Sequence, residues 1–234
     1  MTFPRAPHLH LAAFLRQHGR ASLALFFGLL LPLLGFAKIA QEVFEKEPFA
    51  FEKPLMLALH AHRSEALDQV AAAFSLFGST RGMVPLTLLL VALLYRVRRR
   101  LGYFMALSLG GVALVNVLLK NLFDRPRPAF WTPILPEPDF SFPSGHAMFA
   151  SALATALVVV LWRTRWRVPA LLLGVLYVLG MMASRVYIGV HYPTDVLGGA
   201  LFSVAWVSSL ARVLHLNRPP HRAAAPLRDA AHLG

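Results

Sequence analysis

No cysteine occurs in the sequence. A disulfide framework, a thiolate metal site and a cysteine nucleophile are therefore excluded. Charge is also scarce: 15% of the 234 residues are charged, where a soluble domain carries roughly a quarter. Negative charge is the scarcer sign, with 11 acidic residues against 23 lysines and arginines. No internal repeat is visible, which argues against the duplicated plan common in transporters. No clear A-x-A site follows the first apolar run, and that run exceeds the ~7–15 residues of a signal-peptide core. It is read as a retained span.

Apolar residues fill the space that charge leaves. They make up 57% of the chain, and mean hydropathy is +0.58. Such a chain belongs in a bilayer, where backbone polar groups must be paired internally by helices or a closed barrel. The run Leu153–Leu161 is continuous rather than alternating, so helices are expected. The expected fold is an all-α, six-span transmembrane bundle. The spans are read at Ala21–Ala40, Gly82–Tyr95, Leu101–Leu122, His146–Trp162, Val168–Tyr187 and Pro193–Leu214. The second is shorter than the ~17–25 residues a crossing needs, so it must extend or lie in a thinned region.

The net charge of +12 raises the question of nucleic acid. The arginines sit in short clusters between apolar runs, where orientation signals belong, so nucleic acid is not expected as a partner. One side of the six-span plan collects 14 of the 23 basic residues, including Arg96, Arg98–Arg100, Arg163, Arg165 and Arg167. That side is assigned to the cytoplasm, with both termini. Residues 1–20 then form a cytoplasmic N-terminal segment and 21–216 the transmembrane domain. Residues 217–234 read as a disordered tail, polar and with Pro219, Pro220 and Pro226. Residues 41–81 and the loop 123–145 face outward. Within 41–81, Phe51, Leu55, Leu59, Leu67, Val70, Phe74 and Phe77 form a weak helical stripe. It fits a helix packed on the bundle, or an interfacial helix beside a lipid entrance.

Three polar clusters fall at the outward ends of the spans. The first runs from Lys120 to Pro128 and holds Arg125 and Arg127, each followed by proline. Proline keeps the residue before it extended, and cations set close together require an anion. The second is Pro143-Ser144-Gly145-His146, directly before an apolar run. Ser144 is a plausible N-cap, Gly145 permits close approach to the backbone, and the helix start is a ready anion site. The third runs from Ser184 and Arg185 through His191 to Asp195. Pro193 suits a first helical position, and the Asp195 carboxylate can reach back to a His191 N–H, freeing the other nitrogen to attack. Singly, each cluster also fits ordinary helix ends with snorkelling cations. Together, on one face, they offer cations, two histidines, a helix N-terminus and an aspartate, which is what phosphoryl transfer needs. The residues alone do not say which histidine attacks.

The signature formed by Lys120…Arg127-Pro128, Pro143-Ser144-Gly145-His146 and Ser184-Arg185…His191…Asp195 resembles that of the type 2 phosphatidic acid phosphatase family. This family is related to bacterial acid phosphatases and vanadium haloperoxidases. The resemblance implies a metal-independent lipid phosphatase or diphosphatase with no cofactor. It implies that Lys120, Arg127 and Arg185 grip the phosphate with Ser144 and Gly145. His191 would become phosphorylated, Asp195 would orient it, and His146 would protonate the leaving oxygen and then activate water. The nearest acidic residues, Glu137 and Asp139, form no two-metal ligand pattern. The expected partners are the bilayer and a lipid phosphate, with undecaprenyl diphosphate favoured. Phosphatidylglycerol phosphate, phosphatidic acid and lipid A 1-phosphate are the alternatives. A lipid transporter using the same cations is the alternative from another class. The patch Gly198-Gly199-Ala200 suits close helix packing within or between chains.

Overall fold

The structure, a computed structural model, describes residues 25–216 together with Gly19, Ser22 and Leu23. The tail 217–234 and, except for Gly19, the segment 1–20 lie outside the described residues. Eight helices follow in order: α1 (Phe26–Phe44, opening on a π-helical turn), α2 (Glu52–Ala61), α3 (Glu65–Gly78) and α4 (Thr80–Val97), then α5 (Arg99–Phe123), α6 (Gly145–Leu161), α7 (Arg167–Ile188) and α8 (Pro193–Val213). No strand occurs among the described residues.

Five of these helices (α1, α4, α5, α7 and α8) are long and apolar enough to cross a membrane, and α6 is an apolar helix of 17 residues. The second span, expected at Gly82–Tyr95, extends in both directions to Thr80–Val97 and needs no thinned bilayer. The first span, expected at Ala21–Ala40, ends a turn later, at Phe44. Pro85 lies inside α4, where a membrane protein tolerates it because neighbouring groups take up the freed carbonyl.

The bundle is built around α6, which packs on α5, α7 and α8. Its small residues Ala147, Ala150, Ala152 and Ala156 are fully buried and let the neighbours come close. Phe104, Met105, Leu109 and Val112 of α5 join Met148, Phe149 and Leu153 of α6 and Val207 of α8 in the core. By contrast, α4 buries no residue, yet it is as apolar as a span must be. Its outer surface faces lipid, so hydrophobicity and burial separate here.

Between α1 and α4 the chain folds as two helices, α2 and α3, where the sequence reading has one weak stripe. The stripe largely faces away from the protein: Phe51, Leu55, Leu67, Val70 and Phe77 are exposed. The inward face carries Glu52 and Met56 on α2, and Ala71, Ser75 and Gly78 on α3. Ser64 starts α3 by accepting from the N–H of Leu67 at 3.3 Å. α3 then lies along α7, which brings Ser75 over the polar end of the bundle.

Candidate active site

All three polar clusters meet at one end of the bundle. Lys120 lies three residues before the end of α5 and Arg185 three before the end of α7. His146 sits in the first turn of α6 and Asp195 in the first turn of α8. His191 lies in the short turn between α7 and α8, after the left-handed C-cap Gly189. The opposite end carries Arg96, Arg98–Arg100, Arg163, Arg165, Arg167 and Arg212.

At the centre of this cup stands one carboxylate, that of Glu137 from the α5–α6 loop. Its Oε2 is 2.7 Å from Arg127 Nη2 and 3.7 Å from His191 Nε2. Its Oε1 pairs with Arg185 Nη2 and lies 3.7 Å from His146 Nδ1. Asp139 pairs with Lys120 Nζ at 2.5 Å and with Arg127. Two imidazoles and three cations therefore surround a single small anionic region.

The hydrogen bonds assign tautomers. His146 Nε2 lies 3.2 Å from the Ser75 carbonyl oxygen. A carbonyl only accepts, so Nε2–H donates and Nδ1 faces the cup with its lone pair. Arg127 Nη1 lies 3.2 Å from His191 Nε2. A guanidinium only donates, so Nε2 accepts and the proton of His191 sits on Nδ1. That nitrogen faces Ser141 Oγ at 3.5 Å and Asp195 Oδ2 at 3.6 Å. Asp195 thus faces His191 at a distance just beyond a direct hydrogen bond. Its Oδ2 accepts from Ser141 Oγ and, at 2.7 Å, from the Tyr192 N–H.

Burial sets the charge states outside the spans. His191 is fully buried. Burial, then Arg127 and Arg185, hold it well below the ordinary imidazole value, so it is neutral. Burial pushes the Glu137 carboxyl up, but the surrounding positive charge, that of Arg185 first and of Arg127 with it, brings it below the usual range. Asp139 behaves alike: burial raises it, while Lys120 and Arg127 lower it further. Both loop carboxylates are ionised at neutral pH. Arg185 is 1% exposed; its Nη1 donates to Ser75 Oγ at 2.6 Å, and its Nε–H has no hydrogen-bond partner among the described residues.

Arg125 and Arg127 part company. Arg127 enters the cup. Arg125 turns to the other side of Asp195, with Nη1 at 2.5 Å from Asp195 Oδ1 and Nη2 at 2.8 Å from Glu52 Oε2. Glu52 also accepts from the Thr194 N–H at 3.2 Å and from its hydroxyl. This ties α2 to the start of α8. Ser144 is fully buried; its N–H donates to the Asp195 carbonyl at 3.1 Å, and its hydroxyl accepts from the Ala147 N–H at 3.5 Å. Gly145 permits a close approach of Asn116: a Cβ there would lie 2.9 Å from Asn116 Oδ1. Asn116 in turn donates to the Pro143 carbonyl at 2.9 Å and fixes the loop before α6.

Sequence reasoning missed Ser75, Glu52 and Ser141, and it named Glu137 and Asp139 without a role. Serines and glutamates at helix ends carry no distinguishing pattern. The excess of cations did carry a signal, since buried guanidiniums need counter-anions.

Fold and site together are those of an integral membrane phosphatase acting on lipid phosphate esters, a multi-pass protein. The sequence pattern of the PAP2 superfamily matches residues 101–219, half of the chain, and the chain belongs to that superfamily. It is 34% identical over 144 residues to phosphatidylglycerophosphatase B of Bacillus subtilis, covering 58% of this chain and 70% of that protein. It is 28% identical over 171 residues to an undecaprenyl-diphosphatase of Sulfolobus acidocaldarius, covering 71% of this chain and 79% of the relative. A solved transmembrane PAP2-type phosphatidylglycerolphosphate phosphatase from Bacillus subtilis superposes with a TM-score of 0.73 at 25% identity. That match covers 84% of this chain and all of the other.

Proposed function

We propose that this membrane phosphatase works through a phosphohistidine at His191, on the outer side of the cell membrane. The observation that carries the reading is the Glu137 carboxylate, which both imidazoles approach at 3.7 Å and which Arg127 and Arg185 grip. A phosphoryl group in that position has a nucleophile on one side and, on another, a second imidazole nitrogen that can take up and deliver a proton.

The steps balance as follows. His191 Nε2 attacks phosphorus, and the bond from phosphorus to the leaving oxygen breaks. His146, in its imidazolium form, keeps Nε2–H on the Ser75 carbonyl and delivers the Nδ1 proton to that oxygen. The positive charge that forms on His191 is stabilised by Asp195, whose position Ser141, Tyr192 and Arg125 fix. His146 Nδ1 next takes a proton from water, the water oxygen attacks phosphorus, and the P–N bond breaks. Lys120, Arg127, Arg185, the Ser144 hydroxyl and the backbone N–H of Gly145 at the start of α6 hold the equatorial oxygens.

The favoured substrate is an isoprenoid diphosphate, supported by the name of the Sulfolobus relative. The Bacillus relatives favour a second reading, phosphatidylglycerol phosphate. The arginine-rich end of the bundle supports an orientation with both termini and that end in the cytoplasm. Residues 1–20 would then be a cytoplasmic segment, 21–216 the phosphatase domain and 217–234 a cytoplasmic tail. The test is phosphate release by purified protein, in chelator, from a panel of undecaprenyl diphosphate, phosphatidylglycerol phosphate, phosphatidic acid and lipid A 1-phosphate. Release that His191→Ala abolishes, with binding retained, supports the enzyme. Binding and transport without hydrolysis would overturn it in favour of a carrier.

A further inference from the structure

We propose that Glu137 and Asp139 are a resident anion of the cup, a filter that admits phosphomonoester and diphosphate headgroups and turns away the singly charged phosphodiester lipids around them. The inference rests on the reading that the cup holds the substrate phosphate. All three cations assigned to that phosphate are already engaged by these two side chains: Arg127 by both, Arg185 by Glu137 and Lys120 by Asp139. The Glu137 oxygens also lie where two phosphate oxygens would, one facing each imidazole.

The loop geometry suits exchange. On one side it is pinned by Trp131, whose Nε1–H donates to the Ile188 carbonyl at 3.2 Å and whose ring stacks on His60 at 4.1 Å. On the other it is pinned by the Ser141 N–H on the Arg125 carbonyl at 2.8 Å and by fully buried Phe142. Between these pins, Thr132, Ile134, Leu135, Pro136 and Pro138 are exposed. The Asp139 side chain is itself 54% exposed, at the mouth of the cup. Arg127 also donates to the Asp139 carbonyl at 2.7 Å and to the Phe140 carbonyl at 3.2 Å, so the stretch lifts as that guanidinium exchanges partners, without unmaking the bundle.

Charge then decides what lifts it. Three cations face two carboxylates, so the filled cup retains one positive charge. A phosphodiester brings one negative charge and at best replaces Glu137 like for like. It competes with a tethered carboxylate whose effective concentration is in the ~mM range. A phosphomonoester brings ~1.5–2 negative charges, and a diphosphate at least as many, so each gains Coulomb energy on exchange. The acidic pair therefore works against the commonest lipids of the bilayer, by repulsion rather than by shape.

The test uses the full chain in phosphatidylcholine vesicles with phosphatidic acid as substrate, with and without added phosphatidylglycerol, and inorganic phosphate as a soluble inhibitor. The native protein should change its apparent KM less than ~2-fold on adding phosphatidylglycerol. Glu137→Gln should become competitively inhibited by it, with apparent KM raised ~10-fold, and should bind inorganic phosphate ~10-fold more tightly, a gain of ~1.4 kcal/mol. Glu137→Asp keeps the charge but shortens the reach, and should fall between the two. It serves as the control should the glutamine variant lose its thermal transition in detergent. Identical inhibition of native and variants by both anions, with native activity intact, overturns the filter alone. If native protein neither releases phosphate from any lipid of the panel above nor binds inorganic phosphate, the reading beneath the filter fails as well.

Discussion

Arg125 holds Asp195 through Nη1 at 2.5 Å. The contact is buried, with Arg125 13% and Asp195 0% exposed, and its far side is closed by Glu52, 5% exposed. Removing the guanidinium leaves two buried carboxylates facing each other without a counter-charge. Arg125→Ala should cost about 3–5 kcal/mol, read as a lowered thermal midpoint in detergent. Adding Glu52→Gln should recover part of it. A single variant as stable as the native protein would show that the network is not a structural one.

The charge state of His191 gives a signed pH dependence. Its folded value lies well below ~6.5, the ordinary imidazole value that the unfolded chain keeps. Above ~6.5 neither state binds the proton and the group does not affect stability. As pH falls below that value the unfolded state takes up a proton that the native state refuses. Stability then declines by up to ~1.4 kcal/mol per pH unit until the folded value is reached. His191→Gln should flatten that limb of the stability–pH curve. An unchanged slope in the variant would assign the acid sensitivity to other groups.

His146 separates the two substrate classes. An alkoxide leaving group needs its proton in the transition state, whereas a phosphomonoester leaving group, with a second pKa near ~6, needs far less help. His146→Ala should slow monoester cleavage by ~10²–10⁴-fold in single turnover and diphosphate cleavage much less. Equal losses on both would remove His146 from the role of leaving-group acid.

α3 touches the cup through a glycine. A Cβ at Gly78 would lie 2.4 Å from His146 Cδ2 and 2.9 Å from Met181 Cε. Gly78→Ala therefore has to displace the imidazole or push α3 away from α7. A ring shifted by ~1 Å can cost about 10²-fold, and the loss should fall on kcat while KM for a lipid phosphate changes little. A variant with native kcat would mean that the ring has room to yield.

That the histidines and cations of the candidate site meet at one end of the bundle was legible in the sequence, because each falls within a few residues of a helix end and the helix pattern is strong. His146, Lys120, Arg185 and Asp195 sit at the ends of α6, α5, α7 and α8 as the apolar runs require. Pairing was less legible. Arg125 and Arg127 look alike in sequence, yet their side chains part in the fold. One meets Asp195 and the other the cup. The stripe from Phe51 to Phe77 left two readings open, packed on the bundle or at the lipid interface. In water an apolar stripe marks the inward face, but in a bilayer lipid accepts it equally well. The buried face of α2 and α3 then holds Glu52, Ser75 and Gly78, which no hydrophobic pattern reveals.

The brevity of α6 has a consequence for the membrane around it. Its 17 residues span about 26 Å at ~1.5 Å per residue, against a hydrocarbon thickness of ~30 Å. On the reading proposed above, a phosphorus held at its first turn would lie a few ångströms beneath the headgroup plane, or the bilayer would dip to meet it. Acyl-chain length would then act as a dial on turnover: thin bilayers would present the ester at the right depth, and thick ones would oblige each substrate to sink before it could react.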